Sequence, residues 1–183
     1  KTASYTITVG TNVMNVTATG YTGTYDGQSH GITVTAPDGA TVKYGTTAGS
    51  YTLTTSPTYT AAGSYTVYYQ VSKANYTTVT GSQTVVISKA AGSLSYAATN
   101  ISKTFGNAAF TNPLTLTGDG TVKYSTSNAS VAAVNATTGE VTIAGSGSAT
   151  ITATVTDGTN YTYATKTASY TITVGTNVMN VTA

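Results

Sequence analysis

The residues able to carry acid–base or metal chemistry are few and far apart. His30 is the only histidine, and there is no cysteine. A metal centre draws several His, Cys or carboxylate ligands together, so one imidazole is a poor ligand set. Asp26 stands four residues before His30. With any serine the pair can be written as a Ser–His–Asp set, but the strand–turn–helix setting of a nucleophile elbow is missing. His30 lies in Ser29-His30-Gly31 and is expected as an exposed loop residue. The other acids are Asp38, Asp119, Glu140 and Asp157, and all four aspartates precede glycine. That is turn chemistry, because Asp tolerates the left-handed region and Gly supplies positive φ. Calcium needs six to eight oxygens, usually from clustered carboxylates, and no Asp-x-Asp spacing occurs. One route to calcium stays open, two distant Asp-Gly turns meeting at a domain junction. No catalytic, cofactor-binding or metal-ligating set is assigned, no cofactor is expected, and the chain is read as non-enzymatic.

The 15 tyrosines are the other candidates. Exposed, they would stack on sugars or pack on a neighbouring fibre. Otherwise they fill sheet positions and cover the core edge, hydroxyl outward. The second role is expected for most. Tyr68-Tyr69 in one strand splits between faces, so one of the two is a candidate for exposure. Asn-x-Ser/Thr occurs several times, as at Asn15, Asn75, Asn128, Asn135 and Asn160, which a Thr-rich chain would produce, and any sugar depends on the host. A Lys–Asn isopeptide, or a Thr–Gln ester at Gln28, Gln70 or Gln83, would replace disulfides, but an isopeptide also needs a buried acid and acids are scarce.

The elements that must position these residues are strands. Thr makes up about a quarter of the chain, and charged residues only 7%, against about 25% in average soluble domains. The seven cationic residues are all Lys, too thin a footprint for nucleic acid. No apolar run of about 18 residues is present to span a membrane, and any signal peptide would lie outside this sequence. Tyr5–Val9, Tyr65–Val71, Gln83–Ile87 and Ser148–Val155 alternate as half-buried strands do. Asp26-Gly27, Asp38-Gly39, Ala62-Gly63, Asp119-Gly120, Thr138-Gly139 and Asp157-Gly158 punctuate them. No window sustains a 3.6-residue apolar period, so almost no helix is expected. The fold class is all-β.

Lys1–Ala18 and Lys166–Ala183 are identical over 18 residues, at an offset of 165. The chain therefore reads as one unit of an array with overlap, a period too long for a solenoid repeat but suited to tandem globular domains. Lys89-Ala90-Ala91-Gly92-Ser93 breaks the unit in two. Residues 10–89 and 90–174 become two domains, each long enough for a seven-strand sandwich. Residues 1–9 become the last strand of a preceding second-type domain, and 175–183 the start of the next repeat.

The second segment resembles the bacterial immunoglobulin-like group 2 domain. The resemblance is carried by Val122–Asn128, Val131-Ala132-Ala133-Val134-Asn135, Thr138-Gly139-Glu140-Val141-Thr142 and Gly145–Val155. The first segment is similar to the MBG or YDG type of bacterial surface repeat, through Gly23–Gln28, Val42-Lys43-Tyr44-Gly45, Ala62–Val67 and Ala74-Asn75-Tyr76. The resemblance implies tandem immunoglobulin-like β-sandwiches in an extracellular protein of the bacterial surface, with no common catalytic residue. The expected function is a structural repeat unit of an adhesin stalk or filament. Its expected partners are identical neighbouring repeats, in the same chain or as strand-complementing subunits. The alternative is a glycan- or host-protein-binding module, which predicts an exposed tyrosine cluster. As an array, a 165-residue unit should have an axial period of roughly 60–80 Å from the strand rise.

Overall fold

Among the described residues, strands are the whole of the regular structure, the longest being three of ten residues. The structure is a computed structural model and describes every residue except Lys1, Ala3, Thr8, Val9 and 178–183. Among the described residues there are sixteen strands and no helix. The chain forms two units, Lys1–Ser88 and Lys89–Ala183.

Unit 1 holds β1 (Thr17–Thr19), β2 (Tyr21–Thr24), β3 (Thr33–Thr35), β4 (Thr41–Gly45), β5 (Gly63–Ser72) and β6 (Val79–Ser88). One sheet runs β2-β6-β5-β4, and β1 pairs β3 in a second. The β5–β6 hairpin is antiparallel from Gly63↔Ile87 to Val71↔Val79, while β2 joins β6 in parallel. Alternation sends Val67 inward to meet Ile32, Val85 and Ile87. Tyr21, Tyr44, Tyr59, Tyr65 and Tyr69 close the edges of that core, with Tyr59 and Tyr65 stacked at 4.0 Å. Tyr69 faces Gly81 across the ladder, and its ring lies where a Cβ at that position would stand. These six strands are one fewer than the seven-strand pattern, because Thr46–Ala62 forms only isolated bridges such as Tyr44↔Leu53 and His30↔Tyr59.

Unit 2 holds β7 (Ala90–Ala91), β8 (Ser93–Tyr96), β9 (Asn100–Thr104), β10 (Leu114–Thr117), β11 (Thr121–Thr126), β12 (Ala132–Val134), β13 (Val141–Ile143), β14 (Gly147–Thr156), β15 (Tyr161–Thr162) and β16 (Thr167–Gly175). Its main sheet runs β11-β14-β16-β9, with β10–β8, β12–β13 and β15–β7 as two-stranded ladders. Asn128 Oδ1 accepts the Ser130 N–H at 3.1 Å and turns the chain after β11. Gly139, at φ 73°, closes the β12–β13 hairpin. Ala149, Ile151 and Ala153 of β14 are buried on one face, as their alternation requires. They meet Tyr170, Ile172 and Val174 of β16, Val131, Ala132, Val141 and Tyr163.

The sequence reading makes Tyr5–Val9 the end of the last strand of a preceding domain. Its described part, Tyr5–Ile7, forms no strand here and is exposed; Thr8 and Val9 lie outside the described residues. The same letters at Tyr170–Val174 lie inside β16. A lone strand in water has no ladder partners to hold it, so its conformation is decided by neighbours and not by its sequence.

Candidate functional site

His30 is not an exposed loop residue. Its ring stacks on Tyr21 at 3.7 Å and 10°, its backbone bridges Tyr59 in both directions, and its side chain is only 16% exposed. Nε2–H donates to Asp26 Oδ1 at 3.0 Å. The same carboxylate caps the Gln28 N–H at 2.8 Å. The His30 hydrogen bond, then the Gln28 one, hold Asp26 below the ordinary carboxylate range. The pair fastens the Asp26-Gly27 turn to β2; Ser29 instead shares a hydrogen bond with Thr60. Sequence alone missed this cover because Tyr21 and Tyr59 come from separate elements.

Two distant Asp-Gly turns do meet in unit 2, but as an interlock. Asp119 Oδ2 and Oδ1 accept the N–H groups of Asn160 and Tyr161 at 2.8 and 3.1 Å. Gly158 sits so close against Asp119 that no Cβ fits. Asp157 Oδ1 accepts the Tyr163 N–H at 3.0 Å and pairs with Lys166. Lys89 Nζ donates to the Gly158 carbonyl at 2.7 Å, and Tyr163 Oη accepts the Gly120 N–H at 3.0 Å. These carboxylate oxygens are occupied by amides and an ammonium. Among the described residues no group of three or more His, Cys, Asp or Glu is placed to hold a metal ion. Asp38 and Glu140 lie apart on turns, the Asp38 carbonyl accepting from Lys73 at 2.7 Å.

The Lys166 hydrogen bond, followed by that of Tyr163, lowers the Asp157 pKa from 3.8. A carboxylate with a depressed folded pKa stabilises fully above its unfolded value and stops doing so as pH falls through the folded one. Unit 2 is therefore expected to lose melting temperature as pH drops below the ordinary carboxylate range. Asp157→Asn should remove that part of the acid limb in melts from pH 7 to pH 2.

The tyrosines do not form an exposed platform. Of the fifteen, Tyr5 alone is exposed, and all the others are half-buried or buried. Both Tyr68 and Tyr69 are half-buried, so the expectation of one exposed member does not hold. Tyr68 stands between Gly45 and Ser82 in register, small neighbours that leave a ring room against the outer face.

β16 is held on both edges. It pairs antiparallel with β14 from Gly147↔Val174 to Thr154↔Thr167, and in parallel with β9 from Thr171↔Asn100 to Gly175↔Thr104. Tyr170 and Ile172 are 2% and 0% exposed there. Their counterparts Tyr5 and Ile7 are 86% and 71% exposed. Tyr170 meets Tyr96 edge-on at 4.8 Å, and burial pushes its hydroxyl up to about 12. That hydroxyl is buried with no hydrogen-bond partner among the described residues. Tyr170→Phe, which deletes the desolvated oxygen and keeps the ring, should leave unit 2 as stable or raise it by about 1 kcal/mol, measured by urea unfolding. Beyond the end of β16, a cleft of about 440 Å³ is lined by Phe105, Ala144, Gly145, Ser146, Thr176 and Asn177.

Residues 114–159 match the family model of the intimin immunoglobulin-like domain. No curated protein matches the chain. Among solved structures, domains 4 and 5 of the S-layer protein SbsC align over 91% of this chain and 99% of theirs, at 16% identity and a TM-score of 0.46. Titin domains z1z2, solved with telethonin, align over 94% and 100%, at 13% and 0.48. The 282-residue C-terminal fragment of intimin, solved with the intimin-binding domain of its translocated receptor, aligns over 88% of this chain, at 18% and 0.33. The chain spans 63% of that fragment. The fold is all-β and immunoglobulin-like, and residues 114–159 resemble the immunoglobulin-like domain of intimin. No helix among the described residues is long and apolar enough to cross a membrane.

Proposed function

We propose that this chain is a structural repeat unit, about 165 residues long, of an extracellular bacterial surface protein or filament such as an adhesin stalk. Unit 1 is read as an MBG/YDG-type sandwich and unit 2 as a group-2-type one. The observation that carries the reading is the repeated 18-residue segment, identical letter for letter at an offset of 165 residues. In unit 2 the segment ends β16, and the Gly175 carbonyl accepts the Phe105 N–H at 2.9 Å. In unit 1 the residues after Gly10 are already tied down. Thr11 Oγ1 and Thr77 Oγ1 share a hydrogen bond of 2.7 Å, and Asn12 exchanges backbone bonds with Asn75 and Thr77 at 3.0 and 2.9 Å.

The interlocked Asp turns and the covered tyrosines support a scaffold and not a reactive or sugar-stacking surface. The binding-module alternative asks for an exposed tyrosine cluster, and Tyr5 stands alone. Electron microscopy of the native assembly tests the proposal. Thin fibres with the 60–80 Å period expected from the sequence support it. Compact particles without that period overturn it.

A further inference from the structure

The Asp-Gly pairs at Asp26, Asp38, Asp119 and Asp157 share one local chemistry, and the fold treats them differently. In such a pair the glycine amide can reach the aspartate side chain, because no Cβ crowds its nitrogen. At Asp119-Gly120 both reacting groups are occupied. The carboxylate accepts the Asn160 and Tyr161 N–H groups, and the Gly120 N–H donates to Tyr163 Oη. At Asp157-Gly158 the carboxylate holds the Tyr163 N–H and Lys166, and the Gly158 N–H donates to the Tyr161 carbonyl at 3.0 Å. At Asp26-Gly27 the carboxylate is held by His30 and the Gln28 N–H. Asp38-Gly39 is the exception. Both residues are exposed, and among the described residues no hydrogen bond engages the Asp38 carboxylate or the Gly39 N–H.

This pair lies between β3 and β4, in a turn closed by the Ala40 N–H donating to the Pro37 carbonyl at 3.1 Å. Gly39 has φ 74°, with nothing within 4 Å of its Cβ position. The Thr41↔Ser72 pair ends the β4–β5 ladder and brings Lys73 alongside the turn. Lys73 Nζ donates to the Asp38 carbonyl oxygen at 2.7 Å. That oxygen takes up negative charge when the adjoining Gly39 N–H loses its proton, so a cation placed on it favours the attacking form of the amide.

We propose that Asp38-Gly39 is a site of spontaneous backbone isomerisation, exposed by the fold and activated by Lys73. The deprotonated Gly39 nitrogen attacks Asp38 Cγ. The N–Cγ bond forms, the carboxyl hydroxyl leaves, and one water is released overall as a succinimide ring closes. Water then opens the ring. Cleavage of the N–Cγ bond restores aspartate. Cleavage between the Gly39 nitrogen and the Asp38 carbonyl carbon gives isoaspartate, whose main chain runs through Cβ and Cγ and whose former backbone carbonyl is a free carboxylate. One water leaves and one returns, so no oxidant, reductant or cofactor is consumed. The product lengthens the β3–β4 connection by one methylene, and the chain carries a record of its age at one turn. The proposal is independent of the repeat-unit reading.

The full chain supplies the test. It is aged in warm neutral buffer made with heavy-oxygen water, and its tryptic peptides are read by electron-transfer dissociation, which tells isoaspartate from aspartate at each site. Asp38 should isomerise about tenfold faster than Asp119 or Asp157, where hydrogen bonds on both groups must open before attack, and it should also lead Asp26. One heavy oxygen should enter at each passage through the ring. In guanidinium chloride the lead should vanish, because the unfolded sites share the same Asp-Gly chemistry. Lys73→Met should slow Asp38 several-fold in the folded chain and leave the unfolded rate unchanged. Should that variant fail to fold, the comparison of sites in the unaltered chain decides alone. Equal rates at all the sites in the folded chain overturn the proposal, as does a lead for Asp38 that guanidinium leaves intact. A folded Lys73→Met chain that isomerises at the original rate overturns the part given to Lys73.

Discussion

Ile172→Ala should destabilise unit 2 by about 2–5 kcal/mol, while Ile7→Ala should change the stability of the dilute chain by no more than about 0.5 kcal/mol. The two isoleucines have identical neighbours for several residues on either side, so propensity and local sequence cancel. What differs is the surroundings. Ile172 is fully buried, with Ala149 beside it on β14 and Ile101 on β9. Its strand is pinned on both edges, so the fold cannot close over the space its side chain leaves, and the cavity adds to the lost transfer energy. Ile7 leaves only water behind. A domain has about 5–15 kcal/mol of stability in all, so the first change is large enough to see as early loss of hydrogen-exchange protection in β14, β16 and β9. Urea titration read by exchange and mass spectrometry separates the two units. Equal effects at both positions would show that the first copy is already packed somewhere.

That contrast also marks what a sequence can disclose about this fold. β5, β6 and β14 are legible because their apolar and polar residues alternate, with Gly63 opening β5 and Asp157 following β14. The β12–β13 hairpin is legible for the same reason, with Thr138-Gly139 at its turn. The pairings β2 with β6 and β9 with β16 are not, since parallel neighbours leave no turn between them to read. The cover over His30 comes from Tyr21 and Tyr59, which its local Ser-His-Gly setting does not mention. The meeting of the Asp119 and Asp157 turns was foreseeable as an option, but not that amides and Lys166 would occupy the carboxylates. Tyr5–Val9 shows the limit most plainly. The strand pattern is correct as a capacity, and the same letters realise it only where β9 and β14 are present.

Gly118→Ala should cost unit 2 about 2–6 kcal/mol, from roughly 1–3 of backbone strain and roughly 1–3 of overpacking. Gly118 follows β10 at φ 116°, a conformation L side chains rarely adopt. Its missing side chain is also occupied space. An added Cβ would stand 2.5 Å from Tyr163 Oη and 2.7 Å from Tyr161 Cγ. Tyr163 cannot simply step aside, because it is buried against Leu94, Ala153 and Val155 and its hydroxyl receives the Gly120 N–H. Gly27→Ala is the control that separates the two costs. Gly27 has φ 78°, but nothing lies within 4 Å of its Cβ position, so only the left-handed penalty of about 1–2 kcal/mol applies. Urea midpoints of the two variants should differ, with Gly118→Ala the more damaging. If they lose the same amount, Tyr161 and Tyr163 have room to move, and the end of unit 2 is looser than its interlocked turns imply. If Gly118→Ala loses more, those rings and turns form one rigid cap.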